Sequence, residues 1–222
     1  MDWRAIALSL ELAAWTVAIL LPVGVLGGRW LAVAKFPGKS WVEGALALPL
    51  VLPPTVLGYY LLVSMGGSSA LGQAFERLTG STLAFSFTGL VVASVIFNLP
   101  FAVQPAQRAF EAIPTDVREA AQCCGLTFWQ ALRRIELPLA WPGILSGLVL
   151  TFAHTLGEFG VVLMVGGSIP GETRTLSIAI YDRVQAFDDA AAGLMAATLL
   201  LLSVLAISVS YLSTHWMARR HG

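Results

Sequence analysis

The sequence predicts an all-α membrane protein with about five transmembrane helices. Three observations predict it: 57% of residues are hydrophobic, only 12% are charged, and the uncharged stretches are continuous and long. A mean hydropathy of +0.77 lies outside the range of ordinary soluble domains. A bilayer core of about 30 Å takes about 20 apolar residues per helix. Barrel strands would be short and would alternate around a polar lumen, whereas these runs are long and rich in Leu, Ala and Val.

The first span is expected at 7–29, where the uncharged run 12–28 extends back past Glu11. It lacks a basic segment followed by an A-x-A-like site, so it is expected to stay in the mature chain. The second is expected at 44–66. It begins with Pro49, Pro53 and Pro54, which remove backbone donors and break or kink a helix, and broken helices in membranes mark a packing contact or a substrate path. The third is expected at 83–105, between Arg77 and Arg108. There Ser94 and the sole asparagine, Asn98, line a path, cap a local break before Leu99-Pro100, or simply pack. The fourth is expected at 141–165 and the fifth at 190–214, between Asp189 and His215.

Thirteen Lys and Arg balance thirteen Asp and Glu, so no overall field recruits nucleic acid. The distribution is uneven. Arg29, Lys35, Lys39, Arg108, Arg118, Arg133, Arg134, Arg219 and Arg220 make nine of the thirteen cations, and all sit in loops 29–43 and 104–140 or in the C-terminal tail. The positive-inside rule puts those segments in the cytoplasm, the N-terminus outside and the C-terminus inside. Trp30, Trp41, Trp141 and Trp216 fall near the expected interfaces, while Trp15 lies deeper. Cys123 and Cys124, the only cysteines, have no metal-ligand company and are expected to be reduced, small, buried side chains.

The polar segment 107–140 reads as two short helices on the cytoplasmic side. Asp116 with Glu119, and Thr127 with Gln130, have capping-box spacing, and Gly125 between them is a natural stop. Val117, Ala120, Ala121 and Cys124 share one face of the first helix, with Arg118, Glu119 and Gln122 facing away. Phe128, Leu132 and Ile135 share a face of the second, with Arg133 and Arg134 outside it. By pattern alone, such a pair either pads the membrane surface or presents a docking element.

The wording of this segment carries a resemblance. Glu119-Ala120-Ala121, three residues, Gly125, nine residues, Ile135, one residue and Leu137-Pro138 match the EAA loop of ABC-importer permeases. Residues 48–58, 156–160, 169–176 and 178–181 resemble signatures of the molybdate permease subunits within that group. The resemblance implies a type I importer permease fold in a bacterial inner membrane and a dimer with a second copy of the chain. It also implies cytoplasmic ATPase subunits that bind the ATP, and an external binding protein that delivers the oxyanion. Glu119, Ala120, Ala121 and Gly125, with Ile135, Leu137 and Pro138, would form the loop that couples to the ATPase. Cys123-Cys124 departs from the usual pattern and bears on which ATPase fits.

No cofactor is expected in the chain itself. Gly38-Lys39-Ser40 looks like the end of a phosphate-binding loop, but Val33 stands where that motif needs glycine, so the energy is expected from a partner. In the fourth span, Thr151, His154, Thr155 and Glu158 share one face at helical spacing. Such a stripe either faces the dimer axis or a wet path, or satisfies itself in a packed interior. A glutamate repels a dianion, so Glu158 reads as a gate or packing element. Tungstate, sulfate or thiosulfate are alternative cargoes. An intramembrane hydrolase would need H-E-x-x-H or a serine constellation, neither of which occurs, and a non-transporting scaffold leaves the polar stripe unexplained.

Overall fold

The computed structural model describes residues 1–218, with side chains through 208. Among the described residues every regular element is helical. Helix α1 (Trp3–Val33) starts where the Asp2 side chain accepts from the Ala5 amide. Next come α2 (Lys39–Val51), α3 (Pro54–Met65), α4 (Ala70–Thr79), α5 (Phe87–Glu111) and α6 (Thr115–Cys123). Helix α7 (Phe128–Ala131) runs through a π-helical segment, Leu132–Glu136, into α8 (Leu137–Gly157). Helices α9 (Gly160–Gly166), α10 (Leu176–Gln185) and α11 (Asp189–Ala218) complete the described chain.

Four helical stretches are long and apolar enough to cross a bilayer, namely α1, α5, the run Phe128–Gly157, and α11; the bent pair α2 and α3 makes a fifth if counted as one. The expected second span, 44–66, is therefore not one straight helix. Leu52 precedes Pro53 and is extended (ψ 136°), and α2 and α3 meet at 107°. The consecutive prolines cause this, since the residue before a proline is pushed out of the helical region and each proline withholds an amide.

Three long helices form the centre. Gly24 of α1 lies against Ala102 of α5, and Gly28 against Ala106, so α1 and α5 run parallel. Gly143 of α8 meets Pro105 and Ala109, and Gly147 meets Phe101 and Pro105, so α8 runs antiparallel to both. Small residues at these crossings bring the backbones together, the usual basis of helix association where lipid removes the hydrophobic driving force.

Helices α3 and α9 pack on α5 through Leu61, Met65, Ala93, Phe97, Val161 and Val165. On the other flank α10 and α11 join α1 through Ala5, Ile6, Leu176, Ala179 and Met195. Trp30, Trp41 and Trp141 are exposed, as befits interfacial rings, and Trp15 is exposed on α1 as well. The Trp216 side chain and Arg219 and Arg220 lie outside the described residues.

Candidate functional site

Segment 107–140 folds differently from two free helices. Helix α6 begins after Pro114, and Asp116 sits in its first turn with its carboxylate accepting from the neighbouring Val117 amide. The expected Asp116–Glu119 capping box is therefore absent. The second box is present: Gln130 N donates to Thr127 Oγ1 at 3.4 Å and Thr127 N to Gln130 Oε1 at 2.9 Å. That box opens α7, which is the N-terminal end of the long α8 run rather than a separate helix. The π segment sits just before Pro138, which has no amide to continue the ladder.

Gly125 ends α6 at φ +72°. Its amide donates to Gln122 O at 2.9 Å and the Leu126 amide to Ala121 O at 3.2 Å, the double bond of a Schellman turn. A side chain here would meet open space, so the cost of replacement is the left-handed backbone alone. Gly125→Leu is expected to lose about 1–2 kcal/mol at this turn and to weaken association with an ATPase subunit. Co-purification of the two chains checks this; undiminished association would count against the expectation that this turn couples to an ATPase.

Helix α6 leaves Glu119 and Ala120 exposed and buries Ala121. Cys123 and Cys124 are both exposed, which corrects the expectation of buried thiols: α6 ends there, and the two side chains lie off the face that buries Ala121. Ile135 and Leu137 are half-buried and Pro138 is exposed. The loop is anchored from beneath by Phe110, Ile113, Leu132, Ala140 and Ile144, with Val117 and Leu137 packed against them.

A second correction concerns Arg118, expected to face away. Its guanidinium turns inward, donates to the Phe110 carbonyl, and lies 3.7 Å from Glu136 Oε1. Glu136 is only 3% exposed and also accepts from Arg29 Nε and, at 2.9 Å, from Arg29 Nη2. This three-residue ion cluster was missed from the sequence. The signal was present: Glu136 is a lone carboxylate between apolar residues at the edge of a span, and such a charge needs a partner.

The polar stripe of the fourth span is also rearranged. Helix α8 ends at Gly157, and Glu158 is extended (ψ 130°) at its C-cap, so Glu158 does not share a helical face with Thr151, His154 and Thr155. Its carboxylate turns forward to accept from Val161 N at 2.9 Å, with the Phe159 and Gly160 amides close to it. It caps α9 and is 6% exposed. His154 packs on Phe101 and Phe97, with ring centroids 4.3 and 5.1 Å away. Thr151 and Thr155 are buried, and Thr155 Oγ1 donates to Thr151 O at 2.8 Å.

Ser94 and Asn98 are wholly buried, joined to α1 through Thr16. Thr16 Oγ1 donates to Ser94 Oγ at 3.0 Å, and Asn98 Nδ2 to Ser94 O at 2.9 Å. In this chain these polar residues sit where α5 packs on α1. Among the described residues no group of three His, Cys, Asp or Glu is arranged to hold a metal.

The family described as "Binding-protein-dependent transport system inner membrane component" matches residues 22–221. The chain belongs to that family. Within it, the chain is 47% identical over 217 residues to the molybdenum transport system permease protein ModB of Azotobacter vinelandii, covering 98% of this chain and 96% of the relative. It is 38% identical over 218 residues to ModB of Escherichia coli K12, covering 98% and 94%. A sulfate transport system permease protein, CysT of Salmonella typhimurium, is 32% identical over 195 residues, covering 87% and 70%. The fold is shared with a chain of a bacterial ABC transporter involved in import of the acidic polysaccharide alginate: TM-score 0.73, 19% identity, covering 97% and 78%.

Proposed function

We propose that this chain is the membrane-spanning subunit of an ATP-driven importer that carries molybdate inward. The observation that carries the reading is the 47% identity with a molybdenum permease across nearly the whole chain, joined to an α6 that presents Glu119 and Ala120 to solvent on a buried apolar footing. In this reading two copies form the pathway, and a separate binding protein outside supplies selectivity. ATPase subunits bind and hydrolyse ATP in the cytoplasm and push on α6. The nine cations of loops 29–43 and 104–140 and the C-terminal tail support an arrangement with α6 and the C-terminus in the cytoplasm and the N-terminus outside. The span interiors offer no Lys or Arg well for the oxyanion, which suits passage, because a deep well would slow release.

The relatedness to a sulfate permease makes sulfate the competing cargo. Proteoliposomes with this chain, its ATPase and its binding protein are expected to take up molybdate in an ATP-dependent manner that excess sulfate does not suppress. Sulfate uptake without molybdate uptake would keep the permease and overturn the cargo.

A further inference from the structure

The ion cluster at the cytoplasmic end of the central helices is a candidate for more than local stability. Glu136 sits in the π-helical segment that leads α7 into α8. Through its carboxylate it holds Arg29, which belongs to α1, with both oxygens engaged. The same carboxylate attracts Arg118, which belongs to α6, across 3.7 Å. Arg118 in turn donates to the carbonyl of Phe110 near the end of α5, and the Arg29 guanidinium stands 4.4 Å over the Phe128 ring at the start of α7. One buried carboxylate therefore ties the exposed turn to all three helices of the core. Arg133 and Arg134, on the same segment, are exposed and take no part.

We propose that Glu136 is a positioning residue that makes α6 and the cytoplasmic ends of α1, α5 and α8 move as one body. The inference rests on the reading of α6 as the surface on which an ATPase subunit pushes. The physical case is directional. The fork of Arg29 fixes both oxygens of Glu136, so α1 cannot slide along α8 without leaving a buried charge unpaired, which is strongly unfavourable. The Arg118 contact is different in kind. At 3.7 Å it is an ion pair without a hydrogen bond, and Arg118 Nε has no hydrogen-bond partner. It transmits force to α6 while contributing less to the fold than the Arg29 pair. The two arms of the cluster thus separate coupling from folding.

The experiment uses the complete transporter in proteoliposomes and reads oxyanion uptake and ATP hydrolysis in the same vesicles. Arg118→Gln severs the α6 arm and leaves the Arg29–Glu136 pair in place; Glu136→Gln weakens both arms. For both variants, ATPase association is expected to persist while uptake per ATP falls about 5- to 150-fold, the span of a typical coupling free energy. For Arg118→Gln, thermal stability is expected to fall far less than for Glu136→Gln, because the Arg29–Glu136 pair is kept. Unchanged uptake per ATP in Arg118→Gln would overturn the proposal. So would a parallel fall of stability, hydrolysis and uptake with their ratio preserved, which is the signature of a purely structural cluster. If the parent chain itself neither binds the ATPase nor supports uptake, the failure is that of the underlying functional reading.

Discussion

Glu158→Ala is expected to abolish most uptake, while Glu158→Gln retains it. The carboxylate accepts from the Val161 amide, with the Phe159 and Gly160 amides beside it, so its task is to end one helix and begin another inside a span. Alanine leaves the Val161 amide without its acceptor in surroundings where water is scarce. Glutamine keeps a carbonyl oxygen in the same place. The expected loss for alanine is about 1–3 kcal/mol of local stability, enough to let the break between α8 and α9 straighten or fray. Thermal melting of the purified chain and uptake in vesicles check it together. If alanine behaves like glutamine, the carboxylate is not the cap. If glutamine fails like alanine, the charge itself is needed, as a gating role would require.

The second large effect is expected from Gly28→Leu. A Cβ at position 28 would stand 2.8 Å from Ala106 Cβ and 2.8 Å from the Gln107 backbone nitrogen. Neither can move without moving α5. Overpacking of this kind costs about 1–3 kcal/mol, and here it also separates α1, which carries Arg29, from α5, whose Phe110 carbonyl accepts from Arg118. The neighbouring Gly27 is the control, because its nearest contact is a Val103 methyl at 4.0 Å, so Gly27→Ala is expected to be neutral. A lowered melting temperature and poor recovery of the folded protein for Gly28→Leu, with a normal Gly27→Ala, match the crossing described above. Equal behaviour of the two would place the α1–α5 contact elsewhere.

Both predictions depend on geometry that the sequence left open. The Thr127–Gln130 box and the Gly125 stop were legible because capping and left-handed turns are decided by residues three or four apart. The Asp116 box was not, because Pro114 starts α6 earlier and places Asp116 inside its first turn. The His154–Glu158 stripe was drawn on an uninterrupted helix, although Gly157 and Gly160 on either side of Glu158 are local stop signals. The break is held by the bond from Val161 N to Glu158 and by Ser177, whose hydroxyl donates to the Glu158 carbonyl from nineteen residues away.

What the sequence determined by itself is the solvent, the number of apolar runs, the proline break between α2 and α3, and the EAA loop with its turn. The first three follow from composition or from neighbours along the chain, and the loop's name from its resemblance to ABC-importer permeases. Tertiary structure alone decided that Ser94 and Asn98 are packed against Thr16, that α1 and α5 run in parallel contact through glycines, and that Arg29, Arg118 and Glu136 meet. Arg29 and Glu136 are 107 residues apart, and no local preference reports on that distance. Their meeting is fixed by the helix crossings, and the low-dielectric interior then makes it costly to undo.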